Sequence, residues 1–120
     1  MRDLKRAIHF DFHSMPDYPD LFDDFSGEEF AKTLSDANVT YINFFARCNV
    51  GFSYYPTKTG IVHPYLKNRD ILGDVIRECH KNDIGVTAYF NAGICHEIAN
   101  VHRDWTVVRK DGRIIDENPE

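Results

Sequence analysis

Polar and apolar residues alternate from Ala7 to His13, with Ile8, Phe10 and Phe12 on one side and His9, Asp11 and His13 on the other. A period of two predicts a strand. A Pro- and Asp-rich loop follows, and Ser26 with Glu29 then makes a capping box. Phe30, Ala31, Leu34 and Ala37 give the ensuing helix its buried stripe, and Asn38 is its stop. Tyr41 to Cys48 predicts a second strand, and Asn49 to about Arg69 a long loop. Asp70 caps a second helix, whose apolar positions Ile71, Leu72, Val75, Ile76 and Cys79 recur at helical spacing. Asn82, Asp83 and Gly85 supply its exit. Val86 to Ala92 predicts a third strand and His96 to Val101 a short helix. Trp105 to Ile115, centred on Asp111-Gly112, predicts a hairpin.

The order β-α-β-α-β implies neighbouring parallel strands joined by right-handed helical crossovers. The fold class is therefore α/β. A closed (β/α)8 barrel takes about 250 residues. These 120 residues supply three parallel strands, two helices and a terminal hairpin, so the expectation is a partial (β/α)8 TIM barrel over 1–120, with a complete but small α/β domain as the competing architecture. No repeat, low-complexity tract or interdomain linker interrupts the chain.

Composition narrows the function classes. A hydrophobic content of 42% with 13% aromatics marks a globular chain. A formal charge of −5 argues against a nucleic-acid partner, which requires clustered Lys and Arg. The acidity is concentrated in Asp17, Asp20, Asp23, Asp24, Glu28 and Glu29, which suits a solvated loop and helix start and matches no calcium loop. The three cysteines, Cys48, Cys79 and Cys95, lack C-x-x-C spacing and read as small buried residues in a reducing compartment. No apolar run approaches the ~18 residues of a membrane span, and Met1 to Arg6 leads straight into a strand, so a cytoplasmic location without membrane partners is expected.

One face of each predicted strand is apolar: Ile8, Phe10, Phe12; Ile42, Phe44, Ala46; Val86, Ala88, Phe90. The other mixes in His9, Asp11, His13; Tyr41, Asn43, Arg47; Thr87, Tyr89, Asn91. In a barrel the polar side faces the lumen, and binding groups gather at the carboxyl ends of the strands. His13, Arg47, Asn49 and Asn91 then surround one cavity. Each has a structural alternative. His9 and Asp11 can satisfy one another or Arg47, Asn49 and Asn91 can form turns, and Tyr54 and Tyr55 can pack a long loop or stack on a sugar. His9-x-Asp11-x-His13 also raises a metal-dependent hydrolase, because imidazole and carboxylate suit zinc. Glu97, after the third strand, is either a loop carboxylate or an acid catalyst.

The segment Ala46-Arg47-Cys48-Asn49-Val50-Gly51-Phe52-Ser53-Tyr54-Tyr55-Pro56-Thr57-Lys58 resembles the second-strand motif of the α-L-fucosidase-like glycoside hydrolases (family 29), A-K-H-H-D-G-F-x-x-W-P-S-K. Gly51, Phe52, Pro56 and Lys58 match directly. Arg69 to Asp74 and Ile84 to Phe90 also look like that family's next helix and strand. Phe10-Asp11-Phe12-His13 and His102-Arg103-Asp104-Trp105 look closer to an uncharacterised glycosyl hydrolase branch. The resemblance implies the N-terminal part of a barrel hydrolase acting on O-glycosidic bonds. It implies a carbohydrate substrate, no cofactor and no metal. The site wall would be His13, Arg47, Asn49, Tyr55 and Asn91, with Arg47 orienting a carboxylate and Tyr55 stacking on the ring. Cys48 and Asn49 stand where fucosidases carry two sugar-contacting histidines. The family's nucleophilic Asp lies at the end of a fourth strand and its acid/base later, which leaves Asp11 and Glu97 as the carboxylates able to approach the mouth. The isolated chain is then expected to be catalytically silent. It would be completed by the remainder of a barrel, or by self-association through open sheet edges as a non-catalytic binding or assembly module.

Overall fold

A left-handed residue ends each of the two main helices and turns the chain into a parallel strand. The computed structural model describes residues 5–115; Met1 to Leu4 and the Asn118-Pro119 end lie outside them. Helix α1 (Gly27–Asp36) begins at Ser26, whose hydroxyl accepts from Glu29 N–H at 3.2 Å, and Ala31 and Leu34 carry its buried stripe. The predicted stripe also included Ala37, which is exposed because it is the C-cap, one residue past the last helical turn. Asn38 at φ +57 reverses the chain, and Val39 N–H returns to Leu34 C=O at 2.9 Å. Helix α2 (Ile71–Lys81) repeats this plan: Asp70 accepts from Gly73 N–H at 2.8 Å, and Ile84 N–H returns to Cys79 C=O at 2.9 Å. Here the left-handed residue is Asp83, at φ +57. Gly85, expected in the exit, is instead the first residue of the next strand.

Those turns deliver strands β2 (Tyr41–Arg47) and β5 (Gly85–Phe90). Central β2 pairs in parallel with β1 (Ala7–His9), Ala7 opposite Tyr41, and with β5, Tyr41 opposite Gly85. Ile42, Phe44 and Ala46 are buried, as the alternation predicts. The outer strands differ. Phe90 is 52% exposed and Ala88 is exposed, since the short helix after β5, which buries none of its residues, leaves that face uncovered. Strand β1 is also shorter than its alternation predicts. It stops at His9, and only the Phe10 N–H to Asn43 C=O bond (3.0 Å) continues the ladder.

The predicted long loop contains order. Two-residue strands β3 (Phe52–Ser53) and β4 (Ile61–Val62) and a 3-10 turn, Pro64–Leu66, form within it. Strand β3 runs antiparallel to β2, Arg47 opposite Ser53, and β4 lies parallel to β3. A short helix α3 (His96–Val101) follows β5, and Val108 bridges Ile114 in the expected hairpin, with Gly112 at φ +83 in its turn. The radius of gyration, 16.8 Å, exceeds the about 13–14 Å of a compact domain this long. Among the described residues no helix is long and apolar enough to cross a membrane.

Candidate functional site at the strand ends

The carboxyl ends of β1, β2 and β5 meet at one mouth, and loop-to-loop bonds hold it together. Past β1, His13 Nε2 pairs with Asp11 Oδ1 at 2.9 Å, and its ring lies edge-on to Phe45 at 5.1 Å. With side chains 37% and 65% exposed, that pair orients His13 more than it stabilises the fold. The period of two does not extend from His9 to His13. His9 instead sits over Phe45 and Tyr89, and among the described residues no group of three His, Cys, Asp or Glu side chains gathers as a metal site.

Between Phe45 and Arg47 the register with β5 slips by one residue, so Arg47 falls opposite Phe90. Its guanidinium lies 5.0 Å over that ring. The guanidinium also donates to Gly51 C=O (3.2 Å), to Asn91 C=O (3.5 Å) and to Cys95 Sγ. Arg47 therefore ties the turn after β2 to the loop after β5. Backbone bonds reinforce the tie, from His96 N–H to Asn49 C=O (3.3 Å) and from Glu97 N–H to Val50 C=O (2.9 Å). Gly51 stands at φ +116 where the two loops touch; a β-carbon there would lie 2.7 Å from Cys95 Sγ.

Asn91 accepts from Ile94 N–H (2.9 Å) and donates to Tyr89 Oη (3.4 Å), and the Tyr89 ring stacks on Phe45 at 4.6 Å. Asn49 is half-buried, and its Oδ1, like that of Asn43, is buried without a hydrogen-bond partner. Glu97 lies in the first turn of α3, half-buried, beside the Asn49–Gly51 turn. The structure thus brings His13, Arg47, Asn49, Asn91, Asp11 and Glu97 to one end of the sheet. Tyr55 is not joined to them. Strand β3 runs back from the mouth, and Tyr55 packs half-buried against the core.

Two residues that sequence reasoning left open or passed over emerge beneath the mouth. Tyr54 is completely buried between Phe12 (4.9 Å) and Phe22 (6.0 Å), which makes it packing and not a sugar platform. Its hydroxyl accepts from Ser14 N–H at 3.2 Å, and burial pushes its pKa up, helped by a bond to the Cys48 thiol. His63, 1% exposed, was hidden in the predicted loop. Its one sequence signal was the preceding apolar pair Ile61-Val62. Burial lowers its pKa, partly offset by the Ser14 carbonyl.

The mouth is open. Two cavities among the described residues, about 300 and 400 Å³, are lined by residues such as Ser26, Arg69 and Arg77, and Phe10, Phe30 and Leu34, on the helix side; neither includes a mouth residue.

Residues 26–120 match the family described as hypothetical glycosyl hydrolase 6. The whole chain superposes on α-L-fucosidase isoenzyme 2 from Paenibacillus thiaminolyticus with a TM-score of 0.86 and 29% identity, spanning 18% of that protein's length. An α-L-fucosidase of glycoside hydrolase family 29 from Bacteroides thetaiotaomicron is 28% identical over 55% of this chain and 15% of its own (TM-score 0.49). A bacterial fucosidase with a monovalent iminocyclitol inhibitor is 28% identical over 56% and 16% (TM-score 0.50). No curated protein matches the chain.

Proposed function

Because the chain belongs to the hypothetical glycosyl hydrolase 6 family, we propose that it forms the first three strands of a (β/α)8 barrel glycoside hydrolase and supplies one wall of its sugar site. The observation that carries this reading is the convergence of His13, Asn49 and Asn91 beyond the ends of three parallel strands, β1, β2 and β5, in a chain alike over its full length to an α-L-fucosidase. Barrel enzymes hold their sites at that end of the strands. With His13 Nε2 on Asp11, Nδ1 is the ring nitrogen left for a sugar hydroxyl. Asn91 and Asn49 add amide groups, and the exposed part of Tyr89 offers an apolar face. Arg47 braces the wall through its bonds to Gly51 C=O, Asn91 C=O and Cys95 Sγ. The substrate is an α-L-fucoside or a close relative of one. Among the described residues β1 and β5 each pair only with β2, which fits completion of the barrel by further strands.

Hydrolysis needs two carboxylates flanking the bond, roughly 5–5.5 Å apart for retention. Asp11 is paired with His13, Glu97 meets the loop through its backbone N–H, and the fucosidases this chain resembles carry their catalytic carboxylates on later strands, so these residues alone bind without turnover. Nuclear magnetic resonance of the chain titrated with L-fucose and a fucose-configured iminocyclitol tests the reading. Shifts confined to His13, Tyr89, Asn91 and Asn49, and lost in His13→Ala, are expected, with no turnover of an aryl α-L-fucoside. Shifts elsewhere or none at millimolar ligand would sink the binding role, and turnover abolished by Glu97→Gln would sink the silent one.

A further inference from the structure

Past Phe10 the chain leaves the sheet, yet it carries Asp11 and His13, and two buried side chains take hold of it at Ser14. Tyr54 Oη accepts from Ser14 N–H at 3.2 Å, and His63 Nε2 bonds to Ser14 C=O at 3.2 Å. The carbonyl can only accept, so Nε2 carries the proton. The other ring nitrogen, Nδ1, accepts from Tyr65 N–H at 3.3 Å. Opposite tasks at the two nitrogens fix the neutral imidazole, since an imidazolium has N–H at both and would set one donor against another at Tyr65.

What surrounds His63 offers a charge no compensation. Phe22 lies edge-on at 5.0 Å from the loop, Phe52 at 5.1 Å and Tyr54 at 6.0 Å from β3 and its end, and Tyr65 at 6.1 Å from the 3-10 turn. Of these the titratable groups are Tyr54, kept neutral by burial, and Tyr65; the nearest charges on the same two segments, Asp23 and Lys67, pair with each other at 2.6 Å. Among the described residues no ion pair includes His63.

We propose that His63 is a positioning residue that, in its neutral form, clasps the segment after β1 to the 3-10 turn by joining Ser14 C=O to Tyr65 N–H, and that protonation at Nδ1 breaks the clasp on its Tyr65 side. The Nε2–H donation to Ser14 C=O survives the added proton, so the loss is local to the 3-10 turn Pro64–Leu66, where Leu66 N–H stays bonded to His63 C=O at 3.0 Å. This inference stands apart from the sugar-site reading, because it concerns how a loop is held and not what it binds.

Hydrogen exchange at the Tyr65 amide, followed by nuclear magnetic resonance from pH 8 to pH 4.5 and corrected for intrinsic rates, reads the titrating side of the clasp directly. Protection should fall by up to about tenfold per pH unit as the pH drops from 6.5 toward the folded pKa, the slope of one linked proton, and level off below it. In His63→Gln the side-chain amide can donate and accept in the same places without titrating, so the step should vanish. A step that persists in His63→Gln, or protection that never changes, overturns the proposal. Should that variant fail to fold, imidazole nitrogen shifts of the unsubstituted chain decide. Nε2–H with an unprotonated Nδ1 at neutral pH, titrating below the ordinary histidine value of 6.5, supports the clasp; the other tautomer, or titration above 6.5, refutes it.

Discussion

Gly51→Ala probes the join between the two loops that frame the mouth. Gly51 stands at φ +116, a backbone conformation that residues with a β-carbon adopt only under strain of about 1–3 kcal/mol. The added carbon would also lie 2.7 Å from Cys95 Sγ and 3.1 Å from Glu97 Cβ. Neither neighbour moves freely, because Arg47 contacts Cys95 Sγ and Glu97 N–H is bonded to Val50 C=O at 2.9 Å. Overpacking of this kind costs about 1–3 kcal/mol. The sum, about 2–6 kcal/mol, is a large part of the roughly 5–15 kcal/mol that stabilises an ordinary domain. Urea unfolding followed by far-ultraviolet circular dichroism should show a lower midpoint at unchanged slope. Cys95→Ala in the same background removes the closest atom, so a double-mutant cycle should return a favourable coupling of about 1–2 kcal/mol and leave the backbone strain in place. A Gly51→Ala protein within about 0.5 kcal/mol of its parent would refute the strain argument, since that is the range of neutral surface changes. A cycle without coupling would refute the steric one.

Cys48 and Cys79 are 0% exposed, and burial with the nearby Glu78 charge pushes the Cys79 thiol up to about 11, whereas Cys95 is half-exposed. Ellman's reagent should therefore find one fast thiol in the native chain and three in denaturant; two fast thiols would contradict the burial. Asp70→Ala removes the cap on Gly73 N–H and should lower unfolding free energy by about 1 kcal/mol, while Asp70→Asn should retain most of it. For His63 the folded pKa lies below the unfolded 6.5, so the unfolded chain takes the proton first. Its contribution to stability is complete above pH 6.5 and is lost as pH falls from there toward the folded pKa. The stability difference between the parent and His63→Gln, from urea unfolding at each pH, should be flat above 6.5 and shrink below it; a difference that grows on acidification would reverse the sign.

The helices were legible because their signals are local. Ser26 and Glu29, or Asp70 and Gly73, lie three residues apart and meet in the structure as written in the chain. The parallel order of the three main strands followed from the same alternation. What stayed hidden depends on distant partners. The alternation Ala7–His13 looked unbroken, yet the strand stops at His9 because Ser14 is claimed by Tyr54 and His63, 40 and 49 residues away. Strands β3 and β4 are two residues each, too short for any periodicity to register, and arise from pairing alone. Arg47 carried the polar label of its face, but the register slip sets it against Phe90, which came from the apolar one.

That slip bears on how the resembling motif should be read. Arg47 and Gly51 belong to the scaffold: one is bonded to both loops, and the other adopts a φ and a spacing that only glycine allows. Fucosidases resembling this chain carry two histidines at the next positions, and here the two substitutions are not equivalent. Cys48 is wholly enclosed, hydrogen-bonded with the buried Tyr54 hydroxyl, so it has become part of the core beneath the mouth. Asn49 is half-buried at the turn, with a carbonyl oxygen that no protein group satisfies. A buried acceptor without a donor costs about 1–3 kcal/mol. A hydroxyl is the simplest group that offers the missing donor, and sugars present hydroxyls. On the proposed reading, position 48 therefore serves packing and position 49 is left to face a ligand.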